Sequence, residues 1–382
     1  MSAYVPQFPV GYHRLHRTKI LDYQLNRWHS MGWLSLEEVR EVGREVRGIA
    51  DWQEVMLRAR ARAERAGRPL SAAFFVRAAE FFTHPEHPDK VALYDRFLAA
   101  FYGALADEPF TRHQVPYERG CLSALDIPAV GAPRGAIVLH GGFDSFLEEL
   151  YSVARALSLR GYRVVLYDGP GQGSALKHHK LPMTPAWERS ASAVLDHFGL
   201  DDVTWIGVSM GGWLCFRAAA FEPRIRRVVA LGVAYDYMSI PPAWVAGFAR
   251  WLFARPRLFD ALAAVKMAAL PQERWGARNL QYILQEGSLR SAGQAFLAFN
   301  ADNLHSERVT QDVLILSGAE DHFIPLKLHR LQVAALSRAR SVTDHVFTRE
   351  QQAHNHCMVG NLGLFVETVG EWLARDELRA AG

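Results

Sequence analysis

The sequence predicts an α/β fold with a mostly parallel central sheet, extended by a helical N-terminal region and interrupted by a helical insertion. Three observations carry this reading. From about residue 110 onward, short β-rich runs alternate with longer helical ones, the pattern that right-handed crossovers between parallel strands produce. Before that point the chain carries helix caps and stops but no strand pattern. Residues 238–305 then break the alternation with a stretch rich in Trp, Phe, Ala and Leu, after which it resumes. The expected organisation is a helical N-terminal cap region (1–110), a first part of the core (111–237), the helical insertion (238–305) and a second part of the core (306–382).

In the N-terminal region Ser35-Leu-Glu-Glu38 has capping-box spacing: the hydroxyl can take the Glu38 N–H while the Glu38 carboxylate returns to the cap. Ala and Arg dominate the following helix until Gly67-Arg-Pro69 stops it. Two more helices are expected at Ser71–Phe82 and Lys90–Leu105, and their Phe and Tyr residues need a larger surface to cover. In the core, strands are expected at Ala136–Leu139, Val164–Tyr167, Val203–Val208, Val228–Val233, Val313–Ser317 and Val342–Thr348. The expected helices are Ser145–Leu159, Pro185–Phe198, Met210–Phe221 and Leu362–Leu378.

Composition narrows the function classes. With 49% hydrophobic and 22% charged residues, a chain of 382 is neither disordered nor fibrous. A net charge of +3 is too balanced for nucleic-acid binding to be expected. Cys121, Cys215 and Cys357 are odd in number and far apart, which makes neither a disulfide framework nor a Cys-rich zinc site and predicts reduced thiols in the cytoplasm. Met1–Ser30 lacks a signal-peptide pattern, and Val228–Tyr235 is broken by Asp236 well short of the roughly 18 residues a bilayer span needs. The expected partner is a small molecule, with no nucleic acid, membrane, metal or cofactor and with a homodimer left open. The run Arg58, Arg60, Arg62, Arg65 and Arg68 is expected to be a solvated helix surface.

The most informative motif is Gly207-Val-Ser209-Met-Gly211, between the strand-like Val203–Ile206 and a helical Trp213–Ala220. Glycines two residues either side let the backbone turn sharply and expose the Ser209 Oγ at the sheet edge, with the Met210 N–H facing developing negative charge. A nucleophilic serine needs a base, and the base an orienting acid. Asp321 follows the strand ending at Ser317; Glu320 is its nearest rival, and Asp236, after the preceding strand, is another. For the base, His354 and His356 lie together before the closing helix. His140-Gly-Gly142-Phe143-Asp144-Ser145 can supply a second N–H to an oxyanion, from Phe143 or Gly142. Ser145-Phe-Leu-Glu148 repeats the capping-box spacing, so Ser145 is expected to cap the next helix. Asp168-Gly-Pro-Gly-Gln-Gly173 has neither P-loop nor dinucleotide-fingerprint spacing and is expected to be a tight turn beside the site. Gly142, Asp144, Asp236 and Trp244 are the expected substrate contacts, Trp244 as one of the insertion's pocket-lining aromatics with Trp251, Trp275 and Tyr282.

Together GGFDSFLEELY, YDGPGQG, GVSMGGWLCFRAAAFEPRI and HNHCMVGN resemble the α/β-hydrolase superfamily. Within it they are similar to a subgroup that includes 2,6-dihydropseudooxynicotine hydrolase, fungal chain-shortening polyketide hydrolases and, more distantly, the fermentation-respiration switch protein. The resemblance implies a triad of Ser209, Asp321 and His356 with oxyanion amides from Phe143 and Met210. It also implies a serine hydrolase acting on a carbonyl substrate. The insertion leaves the sheet at the edge where Ser209 emerges, so with the N-terminal helices it is expected to cover the serine and form an enclosed, largely apolar pocket. Hydrolytic C–C cleavage of a polyketide-like or aromatic ketone is the expected reaction. An esterase, thioesterase or acyl transferase is the alternative, and a silent binding module the non-enzyme one.

Overall fold

Eight strands form one sheet in a computed structural model that describes residues 4–381, the side chains of residues 271 and 376–381 apart. They are β1 (Thr111–Tyr117), β2 (Gly120–Ile127), β3 (Gly135–His140), β4 (Tyr162–Tyr167), β5 (Val203–Val208), β6 (Ile225–Leu231), β7 (Asp312–Gly318) and β8 (Ser341–Phe347). Their spatial order is β1-β2-β4-β3-β5-β6-β7-β8. The six from β3 to β8 run parallel, while β2 joins the edge antiparallel to β4 and β1 pairs antiparallel to β2. That hairpin is absent from the expected strands, and its burial explains why: in β1 only Val115 and Tyr117 are buried, and Pro116 lies between them.

The inner parallel strands are apolar on both faces because both are covered, whereas the edge strand β8 is polar and largely exposed. Leu139, Leu166, Ile206, Val229 and Leu314 point to one side, where the N-terminal helices, Tyr151–Ser158 and Leu362–Ala381 pack. Val138, Val165, Trp205, Val228 and Val313 point to the other, under Trp187–Phe198 and Met210–Ala219. Alternate residues thus serve two cores.

Five helices precede the sheet: Lys19–Ser30, Leu36–Glu45, Ile49–Arg65, Pro69–Phe82 and Asp89–Ala104. The Ser35 box closes in both directions, with Ser35 N–H donating to Glu38 Oε2 at 2.7 Å. The single helix expected after it is two. The Asp51 carboxylate accepts the N–H groups of Arg47 at 3.0 Å and Gly48 at 2.9 Å, which starts a new helix at Ile49. The arginine run meets acids rather than an external anion: Arg62 contacts Glu41 at 3.1 Å and Glu45 at 2.9 Å, and Arg68 contacts Glu38 at 3.1 Å.

The insertion contains Ala243–Phe253, Pro256–Ala269, Pro271–Leu284 and Leu289–Phe296, two of them opened by a proline that needs no N–H partner at a helix start. No described helix is long and apolar enough to cross a membrane.

Candidate active site

β5 and the helix Met210–Ala219 meet at Ser209, whose backbone sits at φ 62°, ψ −124°. Non-glycine residues rarely enter this region. The turn closes because its flanks carry no side chains. A Cβ on Gly207 would lie 1.9 Å from the Gly211 carbonyl oxygen, and one on Gly211 would lie 2.7 Å from that of Gly141. The Ser209 N–H donates to the Leu231 carbonyl at 2.7 Å, which fixes the turn against β6.

Ser209 Oγ lies 2.8 Å from His356 Nε2, and His356 Nδ1 lies 2.6 Å from Asp321 Oδ2. The other Asp321 oxygen accepts the N–H groups of Phe323 and Ile324 at 2.8 Å each, which aims Oδ2 at the ring. Burial opposes the charge on Asp321, but His356 and the two N–H groups outweigh it and hold the carboxyl below its ordinary range. Burial also opposes protonation of His356, yet Cys357 and Asp321 prevail and raise the imidazole well above its usual value. A base works only when neutral, so kcat/KM is expected to rise with pH through this elevated value. Asp321→Asn removes one of the two groups that raise it. That variant is expected to lower kcat/KM by about 10⁴-fold and to move the acid limb to lower pH, and Asp236→Asn to cost far less. A pH–rate profile unmoved by Asp321→Asn would take Asp321 out of this role.

The rivals lie elsewhere. Glu320 pairs with Arg349 Nε at 2.9 Å on the surface. Asp236 accepts the Met238 N–H at 2.7 Å, capping the short turn Tyr237–Ser239, and is not in the cavity wall where a substrate contact was expected. His354 is buried, and its carbonyl accepts the Glu320 N–H at 2.9 Å.

Ser145 does not cap the next helix. Its Oγ accepts the Gly142 N–H at 3.0 Å, and Phe146 stands at the cap with Glu149. Gly142 is thereby committed as a donor. Among the described residues the N–H groups of Phe143 and Met210 have no acceptor, and both residues border the Ser209 cavity. Gln172, which the sequence reading passed over, braces this segment: its Nε2 donates to the carbonyls of Gly141 at 3.0 Å and Gly142 at 2.6 Å. The tight turn at Asp168–Gly173 is what brings it there.

Above Ser209 lies a cavity of about 350 Å³. Its walls combine Tyr23, Gln24 and Arg27 from the first helix, Phe143 and His356 from the core, and Trp275 and Phe296 from the insertion. Asp144 borders it and faces Arg27 at 3.4 Å. Trp244 does not contribute. It stands on the outer face of Ala243–Phe253, 77% exposed, and Trp251 beside it is 44% exposed, so the insertion's aromatics are only partly buried. Trp275, on the separate helix Pro271–Leu284, lines the cavity while Trp244 faces solvent, a difference that composition alone does not show. No described group of three His, Cys, Asp or Glu side chains is placed to hold a metal.

A family model described as alpha/beta hydrolase fold matches residues 137–348, from β3 to just past β8. The chain belongs to this family. Its sequence is similar to hydrolase LUC6 of a Fusarium species, 36% identical over 212 residues that are 48% of this chain and 50% of that one. It is also similar to 20-hydroxy-prefusarin hydrolase FUS2 of Gibberella moniliformis, 33% identical over 201 residues, 46% of this chain and 48% of the relative. The chain thus spans about half the length of these α/β-hydrolase relatives. Its fold is similar to that of 2,6-dihydroxy-pseudo-oxynicotine hydrolase, with a TM-score of 0.63 and 18% identity over 91% of this chain and 94% of that one. The subgroup expected from the four motifs is the one these relatives represent.

Proposed function

We propose that the chain is a serine hydrolase that cleaves a C–C bond beside a carbonyl in a polyketide-like or aromatic ketone. The observation that carries it is the unbroken relay from Ser209 through His356 to Asp321 beneath a covered, mostly apolar cavity. In the proposed reaction His356 Nε2 takes the Ser209 proton as Oγ attacks the carbonyl carbon, and the Phe143 and Met210 N–H groups receive the oxyanion. Collapse of the adduct breaks the C–C bond, and the departing carbanion, stabilised as an enolate, takes the proton back from His356. Water then attacks the acyl-serine, again with His356 as base, and releases the acid. The apolar walls of Tyr23 on one side and Trp275 and Phe296 on the other suit a step in which a carbanion must be protonated in a controlled place. The names of two relatives, a 20-hydroxy-prefusarin hydrolase and a 2,6-dihydroxy-pseudo-oxynicotine hydrolase, support a small organic substrate. Free thiols at Cys121, Cys215 and Cys357 support a cytoplasmic setting.

The test is a panel of small activated esters beside bulky β-diketones. Cleavage of diketones with slow turnover of the esters is expected. Fast, indiscriminate ester hydrolysis without C–C cleavage would replace this reading by an esterase. No reaction, together with no fluorophosphonate labelling of Ser209, would leave a binding module.

A further inference from the structure

A second, smaller pocket opens off the cavity. It holds about 30 Å³, room for one small polar group, and shares Phe143, Asp144, Ser145, Trp275 and Asn279 with the main chamber. Its far wall is cationic. Arg77, Lys90 and Lys177 converge on the single carboxylate of Glu80, with Lys177 Nζ at 2.6 Å, Lys90 Nζ at 2.8 Å and an Arg77 N–H at 2.6 Å. Arg77 also reaches Glu149, which in turn holds Arg27, whose remaining carboxylate partner is Asp144. Four basic side chains therefore share three carboxylates, although burial also lowers Lys90 and draws Lys177 toward its neutral form. Two further acids stand close by, but burial pushes Asp168 well above its ordinary value and Glu148 up to about 7, toward the neutral acid.

Two groups here have unused capacity. Lys177 has three N–H bonds and one oxygen acceptor, Glu80; the rings of Tyr94, Phe146 and Tyr282 surround the rest at 5.2–5.6 Å. Burial draws its pKa down to about 7, so an added anion would favour its charged form. Asn279, on the insertion helix Pro271–Leu284, is 6% exposed, lies in the walls of both chambers and has no hydrogen-bond partner among the described residues. Its amide therefore faces the space of the chambers with its donors and acceptor free for a ligand.

We infer that this side pocket is a carboxylate subsite, in which Asn279 and Lys177 receive the acidic end of a substrate whose reacting carbonyl lies at Ser209. This rests on the hydrolase reading and adds to it a substrate class: a carbonyl compound carrying a free acid. The carboxylate would satisfy the Asn279 amide, take the spare Lys177 N–H bonds and hold Lys177 in its charged form.

The test uses mono-4-nitrophenyl esters of dicarboxylic acids from succinic to sebacic, each beside its methyl ester as neutral control. At one chain length the acid is expected to exceed its methyl ester in kcat/KM by about tenfold or more. Lys177→Met and Asn279→Leu are each expected to bring that ratio to about one. Asn279→Asp, which opposes an anion with another, should invert it. The proposal is overturned if no chain length favours the acid, or if the variants lower acid and ester by the same factor. Should neither series turn over, the hydrolase reading is decided separately by diketone cleavage and fluorophosphonate labelling. Calorimetric titration with the monomethyl esters of the same diacids then decides the subsite: binding by the wild type that Asn279→Leu abolishes supports it, and absence of binding at every length overturns it.

Discussion

Ser209→Ala is expected to lower turnover by about 10⁴- to 10⁶-fold and to abolish labelling by a fluorophosphonate, while leaving the unfolding midpoint in urea almost unchanged. The magnitude follows from the geometry. Oγ is the only atom removed, and with it go the proposed nucleophile and the hydrogen bond to His356 at 2.8 Å. The backbone at φ 62° is as strained for alanine as for serine, so the turn is neither relieved nor further burdened. Residual rate would come from the proposed oxyanion amides of Phe143 and Met210 and from substrate positioning. Retention of more than about a tenth of the wild-type rate would mean that another group attacks the substrate.

Arg77→Ala is expected to be the most damaging change for stability, at about 3–5 kcal/mol. The guanidinium is 1% exposed and joins Glu149 Oε1 at 2.7 Å, Glu80 Oε2 at 2.6 Å and the Asp144 carbonyl at 2.6 Å. It also lies 3.9 Å over the Phe146 ring, so truncation loses packing as well as charge. Removing it leaves two buried carboxylates short of a cation. Because these partners lie on the N-terminal helices and on the segment after β3, the loss should loosen the contact between them. Urea unfolding measures it directly. Arg77→Met combined with Glu149→Gln should recover a substantial part, and failure to recover any would locate the damage in packing rather than in unpaired charge.

The parts of the site that could be read from the sequence are those whose chemistry is local. The Gly207–Gly211 pentapeptide sits on one turn, and a strand on one side with a helix on the other is enough to predict its shape. The sequence favours Asp321 over its neighbour Glu320 for its place in the loop leaving the strand, and in the fold Asp321 reaches His356 whereas Glu320 reaches Arg349 at the surface. What escaped depends on distant segments. Gln172 braces Gly141 and Gly142 across some thirty positions of chain. Ser145 has the spacing of a cap, but its hydroxyl finds the Gly142 N–H first. Trp244 and Trp275 look alike in composition, and only the packing of the insertion decides which meets the cavity. In the fold, the β1–β2 hairpin was missed because an edge strand with alternating exposure carries little apolar signal.

The backbone at Ser209 has a consequence for how such a scaffold changes over generations. Its conformation, φ 62° and ψ −124°, is one that glycine enters without penalty and serine holds only because the surrounding sheet and helix insist on it. Most random substitutions cost stability, yet a single change to glycine here would release stored strain while erasing the reactive oxygen. A lineage freed from selection for turnover would therefore move downhill in free energy as it lost its chemistry, keeping the chamber and its walls. Persistence of serine at this position must be maintained against a standing thermodynamic incentive to abandon it.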